Sequence, residues 1–142
     1  MAVKQISVQL ENIPGQLLML FNILEREEIT TKAVSAASTA ERSVIRLVVN
    51  DPEKASAILT SYNFVHETTP VLAAEVPLHP GGMNAILKRL AQEEVNILYI
   101  YTTINRIGAE TIVILGVDDI DKAREILRQN WIHLITDEIY SL

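Results

Sequence analysis

The sequence predicts an α+β fold made of two βαββαβ modules side by side, each an antiparallel sheet with its helices on one face. Three observations carry that expectation. One strand-to-helix elbow occurs twice, blocks of residues recur at a nearly constant spacing, and apolar residues switch between strand and helix periods in the same order in each half.

In the first half, Val3 to Leu10 alternates, with Ile6, Val8 and Leu10 on one face and Gln5, Ser7 and Gln9 on the other, as a half-buried strand should. It runs into Asn12-Ile13-Pro14-Gly15-Gln16-Leu17. Proline followed by glycine makes a tight turn, and the first amides of the helix beyond it have no intrahelical acceptor. Such a terminus attracts a carboxylate or a phosphate. After the elbow, Leu17, Leu20, Phe21 and Leu24 fall on one helical stripe and read as core. Thr31 to Ser38 and Ser43 to Val49 form a hairpin around Thr39-Ala40-Glu41-Arg42. Asp51, Pro52 and Glu53 start a second helix, as cap, first helical residue and first-turn acid, and its stripe is Ala55, Ile58, Leu59 and Tyr62. Asn63 breaks it, and Phe64 to Thr69 returns as a strand.

The second half repeats this order. Pro14-Gly15, Leu24 and Glu27-Glu28 recur as Pro80-Gly81, Leu90 and Glu93-Glu94, a shift of 66 (80 − 14). Asp51, Lys54-Ala55 and Ile58-Leu59 recur as Asp119, Lys122-Ala123 and Ile126-Leu127, a shift of 68 (122 − 54). Two residues must therefore enter in between, most economically in the turn Ile104 to Ala109. The expected modules are 1–69 and 70–142, with no flexible linker, because Thr69-Pro70-Val71-Leu72 passes from strand almost directly into strand. Two four-stranded sheets make eight strands. Modules of roughly 70 residues are marginal alone, since a unit of about 60 buries only about 60% of its unfolded surface. In the second half Ile112 and Ile114 alternate with Val113, Leu115 and Val117, so both faces of that strand are apolar. With helices on one face, the expected cover for the other is a second copy of the chain, hence a homodimer or higher homo-oligomer.

Composition excludes several functions. The net charge of −6 over 142 residues, with no basic stretch, disfavours nucleic acid and anionic membrane surfaces as partners. Tyr99 and Tyr101 imitate the exposed aromatics of an RNA-recognition sheet, but the Arg/Lys-Gly-aromatic motif is missing. No cysteine is present, and His66, His79 and His133 lack the spacing of a metal-ligand set. Neither a nucleophile elbow nor a placed carboxylate pair is found, and Glu27-Glu28 and Glu93-Glu94 read as solvated surface. The expectation is a non-enzymatic protein with no cofactor and no metal. No signal peptide or membrane span is seen, so the default location is cytoplasmic.

A strand, then Asn-x-Pro-Gly-x-Leu and a helix, with Val-Asp-Asp-x-x-Lys-Ala at the start of a later helix, resembles the ACT domain family, as two tandem modules over nearly the whole chain. The resemblance implies ferredoxin-like modules that sense a small ligand, most often an amino acid, at the interface between paired modules near the elbows, and regulate rather than catalyse. Asn12 matches the family's polar residue two before the proline; its carboxamide would accept from an ammonium while the amides of Gln16 and Leu17 hold the carboxylate. The resemblance extends the candidate site to Ile13, Pro14 and Gly15. In the second elbow Leu78 stands where that polar residue is expected, although Gly81, Gly82 and Met83 still match and His79 offers a substitute polar group. The loop of Asn12 is thus the better site, with Asn96, Ile97 and Leu98 of the partner module closing its other side. The alternative is a structural or partner-regulating subunit whose loops bind no ligand.

Overall fold

The computed structural model describes residues 2–77, 79–105 and 110–142. They form two compact units, Lys4–Thr69 and Pro70–Leu142, the latter joined by residues 2–3.

The first unit contains β1 (Val3–Glu11) from Lys4 onward, α1 (Gln16–Arg26), β2 (Thr31–Ser38), β3 (Arg42–Val49), α2 (Pro52–Ser61) and the opening residues of β4 (His66–Val76). Its strands run in the order β2-β3-β1-β4. The pleat of β1 sends Ile6, Val8 and Leu10 inward, and antiparallel pairing of Val8 with Ile45 and Ile6 with Leu47 puts β3's apolar residues on the same face. Leu20 and Leu24 of α1 and Ala55 and Leu59 of α2 close the core over that face. The predicted stripe of α1 is therefore right for Leu20, Phe21 and Leu24. Leu17 is exposed instead, because it sits in the uncovered first turn. Helix α2 starts as the sequence says, with the Asp51 carboxylate accepting from the Lys54 N–H at 3.1 Å and Pro52 at the first helical position. On the opposite face of β1 the buried Gln5 amide donates to Thr69 Oγ1 at 3.3 Å.

The second unit holds the rest of β4, α3 (Gly82–Gln92), β5 (Ile97–Thr102), β6 (Thr111–Val117), α4 (Ile120–Gln129), β7 (Leu134–Ile135) and a closing 3₁₀ turn (Asp137–Ser141). Its strand order is β5-β6-β4-β7. The core is rebuilt from equivalent residues: Leu72, Ala74 and Val76 of β4, Val113 and Leu115 of β6, Ile86 and Leu90 of α3, and Ala123 and Leu127 of α4.

The described residues hold seven strands, not eight, because β4 is continuous: it ends the first unit as His66–Thr69 and opens the second from Pro70. The reason given above for a second copy also needs correction. Ile112 and Ile114 are fully buried within the single chain, as are Ala73, Ile135 and Ile139, so they offer no free apolar face. Among the described residues no helix is long and apolar enough to cross a membrane.

Backbone hydrogen bonds repeat at the shifts read from the sequence. Ile29 N–H donates to Leu24 O at 2.8 Å and Val95 N–H to Leu90 O at 2.9 Å. Phe64 N–H donates to Leu59 O at 2.9 Å and Ile132 N–H to Leu127 O at 3.0 Å. Ala37 pairs with Val44, while Thr103 N–H donates to Ile112 O, so the two additional residues enter between Thr103 and Ile112. Residues 106–109 of that turn, like Leu78, lie outside the described residues.

Candidate functional site

The first elbow is a turn whose backbone requires glycine. Gly15 has φ +89° and precedes the helix, a left-handed conformation that other residues adopt with strain, and no side chain caps the turn. Met19 N–H reaches Gly15 O at 3.0 Å, which leaves Leu17 and Leu18 without an intrahelical acceptor. Gln16 N–H is turned toward Ile13 O at 3.5 Å and so is partly engaged. Asn12 acts as a fastener: its Nδ2 donates to Thr39 O at 2.9 Å and its N–H to Glu41 O at 3.1 Å. Those bonds pull the β2–β3 turn against the elbow. Ile13, Pro14 and Leu17 are exposed around it.

That closure forms a cavity of about 330 Å³, at the lower end of the roughly 300–1,000 Å³ usual for small-molecule sites. Gln9, Glu11, Gln16, Glu41, Arg42 and Asn63 supply its polar lining, with Leu10, Phe64 and Val65 as apolar wall. Antiparallel register places Arg42 opposite Glu11, and Arg42 Nη1 donates to Gln9 Oε1 at 2.8 Å. The site thus presents a guanidinium and two carboxylates beside an uncapped helix terminus, a set able to hold a small molecule of both charges. Of the residues singled out from the sequence, only Gln16 lines this cavity. Gln9 and Glu11 of β1, Arg42 and Asn63 come from three places along the chain that only pairing and the α2–β4 turn bring together.

The second elbow repeats the turn with different contents. Gly81 has φ +90° and Ala85 N–H donates to Gly81 O at 3.0 Å. Gly82, at the position of Gln16, is buried, and a Cβ built there would lie 2.5 Å from Pro77 O. Met83 packs against the second core. The exposed His79 donates from Nδ1–H to Pro80 O at 2.9 Å. Glu75, equivalent to Gln9, pairs with His133 at 3.1 Å. Asn96, Ile97 and Leu98 lead into and open β5; Asn96 N–H donates to Asp118 Oδ1 at 3.0 Å, Ile97 packs on the second core and Leu98 is exposed.

Another cavity of the first unit, about 300 Å³, is lined by Lys4, Pro52, Glu53, Ser56 and Thr68. Lys4 pairs there with Glu53, and that hydrogen bond, then the residue's own backbone N–H and the ammonium's charge, hold the Glu53 carboxyl below the usual carboxylate range. Beside it His66 Nδ1–H donates to Phe64 O at 2.9 Å and Nε2 lies 3.1 Å from Ser56 Oγ, which ties α2 to the start of β4. Among the described residues no three acidic or histidine side chains gather as a metal site.

Two βαββαβ units in tandem, each with a glycine-headed strand-to-helix elbow, define a paired ferredoxin-like protein. The chain belongs to the ACT domain pair family, whose model matches residues 1–141. It is similar over 100% of its length, at 30% identity and TM-score 0.92, to a crystal structure of a protein from Bacteroides thetaiotaomicron, 98% of which is covered. Its fold is shared with the regulatory subunit of aspartate kinase from Thermus thermophilus in ligand-free form (16% identity, TM-score 0.62, 90% of this chain and 92% of that one). The same subunit from Thermus flavus gives 13% identity, TM-score 0.60 and coverage of 92% and 93%. No curated protein matches the chain significantly.

Proposed function

We propose that the chain is a non-catalytic regulatory protein that binds a free amino acid in the cavity of its first elbow and works as a homo-oligomer in the cytoplasm. The observation that carries this reading is the cavity's charge pattern. Arg42 suits a carboxylate, while Glu11 and Glu41 suit an ammonium. The regulatory role is supported by membership of the family and by the fold shared with the aspartate kinase regulatory subunits. Asn12 contributes through the turn that it fastens, and Gly15 through the φ that it permits.

A thermal-shift screen of the twenty amino acids tests it. A ligand at about 100 times its dissociation constant should stabilise the folded chain by roughly 2.7 kcal/mol. Arg42→Ala should weaken that ligand by about one to two orders of magnitude, as loss of a charged hydrogen bond worth roughly 1.5–3 kcal/mol implies. If no amino acid raises the melting temperature, or if Arg42→Ala leaves affinity unchanged while His79→Ala abolishes it, the reading is wrong. The second outcome would move the site to the other elbow.

A further inference from the structure

The two units expose different surfaces on equivalent helices. Leu18 (65% exposed), Met19 and Tyr62 stand in solvent around an open groove of about 410 Å³, whose lining also includes Asn22, Ile23 and Arg26. The equivalent positions on α3 and after α4 are Asn84, Ala85, Asn130, Arg89 and Gln92. Both helices bury the same inner face, Leu20 and Leu24 in α1 and Ile86 and Leu90 in α3, so the fold does not require the outer apolar residues of α1. The second unit has an unexplained apolar group of its own. Trp131 is 94% exposed and takes φ +63° at the position of Asn63, a left-handed conformation that asparagine tolerates and a bulky aromatic rarely adopts.

We propose that Trp131 of one protomer docks in the α1 groove of a second copy, reciprocally, so that a closed dimer contains two such contacts. The groove offers an indole what it prefers: the Met19 thioether, the Arg26 guanidinium and the Tyr62 ring. Charges match beside it. Arg128, exposed in the last turn of α4 three residues before Trp131, approaches the end of α1, where Glu25 and Glu28 are exposed. That local attraction matters in a chain of net charge −6, which otherwise repels its copies. The proposal rests on the self-association in the reading above and is independent of the ligand.

Trp131 is the sole tryptophan, so its emission reports the contact directly. On raising the protein concentration, the emission should shift to the blue with the same midpoint as dimer formation measured by sedimentation. Met19→Glu and Trp131→Asn, followed by sedimentation, should each raise that midpoint by about thirtyfold or more, as removal of an interface anchor does. Both side chains are exposed, and circular dichroism confirms that the variants fold. Ala85→Glu, at the equivalent position of α3, should leave the midpoint within about twofold. A dimer whose tryptophan emits as in water, or that ignores Met19→Glu, would refute this surface while leaving self-association intact. A chain that keeps the mass of one protomer at every concentration would refute both.

Discussion

At the ends of their first strands the two units make the same backbone turn and fill it differently. Gly15 and Gly81 adopt nearly identical positive φ values, and the strand pairs behind them share one register, Ile6 with Leu47 and Leu72 with Leu115. Around the first turn stand Gln9, Gln16, Arg42 and Asn63. The equivalent positions carry Glu75, Gly82, Glu110 and Trp131. Where Gln16 points into open volume, Gly82 lets the Pro77 carbonyl come close; where Gln9 receives the Arg42 guanidinium, Glu75 receives His133. The difference teaches that the turn belongs to the fold and that its lining does not. A duplicated backbone keeps its hydrogen bonds while its surface residues are free to differ.

Three pairs of substitutions press on that comparison, beginning with the largest expected effect. Leu24→Ala and Leu90→Ala remove fully buried side chains at equivalent places and should each cost about 2–5 kcal/mol, read as loss of stability in urea titrations. Costs that differ strongly would show that the two cores are not equally packed. Gly82→Ala puts a Cβ against backbone and should cost about 1–3 kcal/mol, whereas Gln16→Ala should stay within about 0.5 kcal/mol for stability. A Gly82→Ala variant as stable as the parent would mean that the second elbow has room like the first. The helix caps give the smallest effect: Asp51→Ala and Asp119→Ala each lose one bond to a first-turn amide at 3.1 Å and should each cost about 1 kcal/mol. Equal losses by thermal denaturation would extend the equivalence to the helix starts, and a difference beyond experimental error would end it there.

Much of the fold was readable because its causes are local. The Pro-Gly turns, the Asp51 and Asp119 caps and the alternation of β1 need only a few neighbouring residues, and repetition at two shifts made the second half a check on the first. The candidate site was readable only in part. Gly15 and the uncapped amides of α1 follow from the turn itself, but Asn12 proved to hold the β2–β3 turn. Arg42 was read as a turn residue because nothing beside it in sequence says that it faces Glu11.

The sequence by itself determined the order of the main elements in each unit, the two glycine turns and most of the faces that became core, because period, capping and positive φ are properties of short segments. Tertiary structure alone decided the rest. It merged two expected strands into β4, buried Ile112 and Ile114 within the chain, and assembled a cavity from Gln9, Gln16, Arg42 and Asn63. It also left Leu18 and Trp131 in solvent. Each of these depends on which distant residues antiparallel register and helix packing bring together, and an apolar residue looks the same in sequence whether its cover comes from its own chain or from nothing.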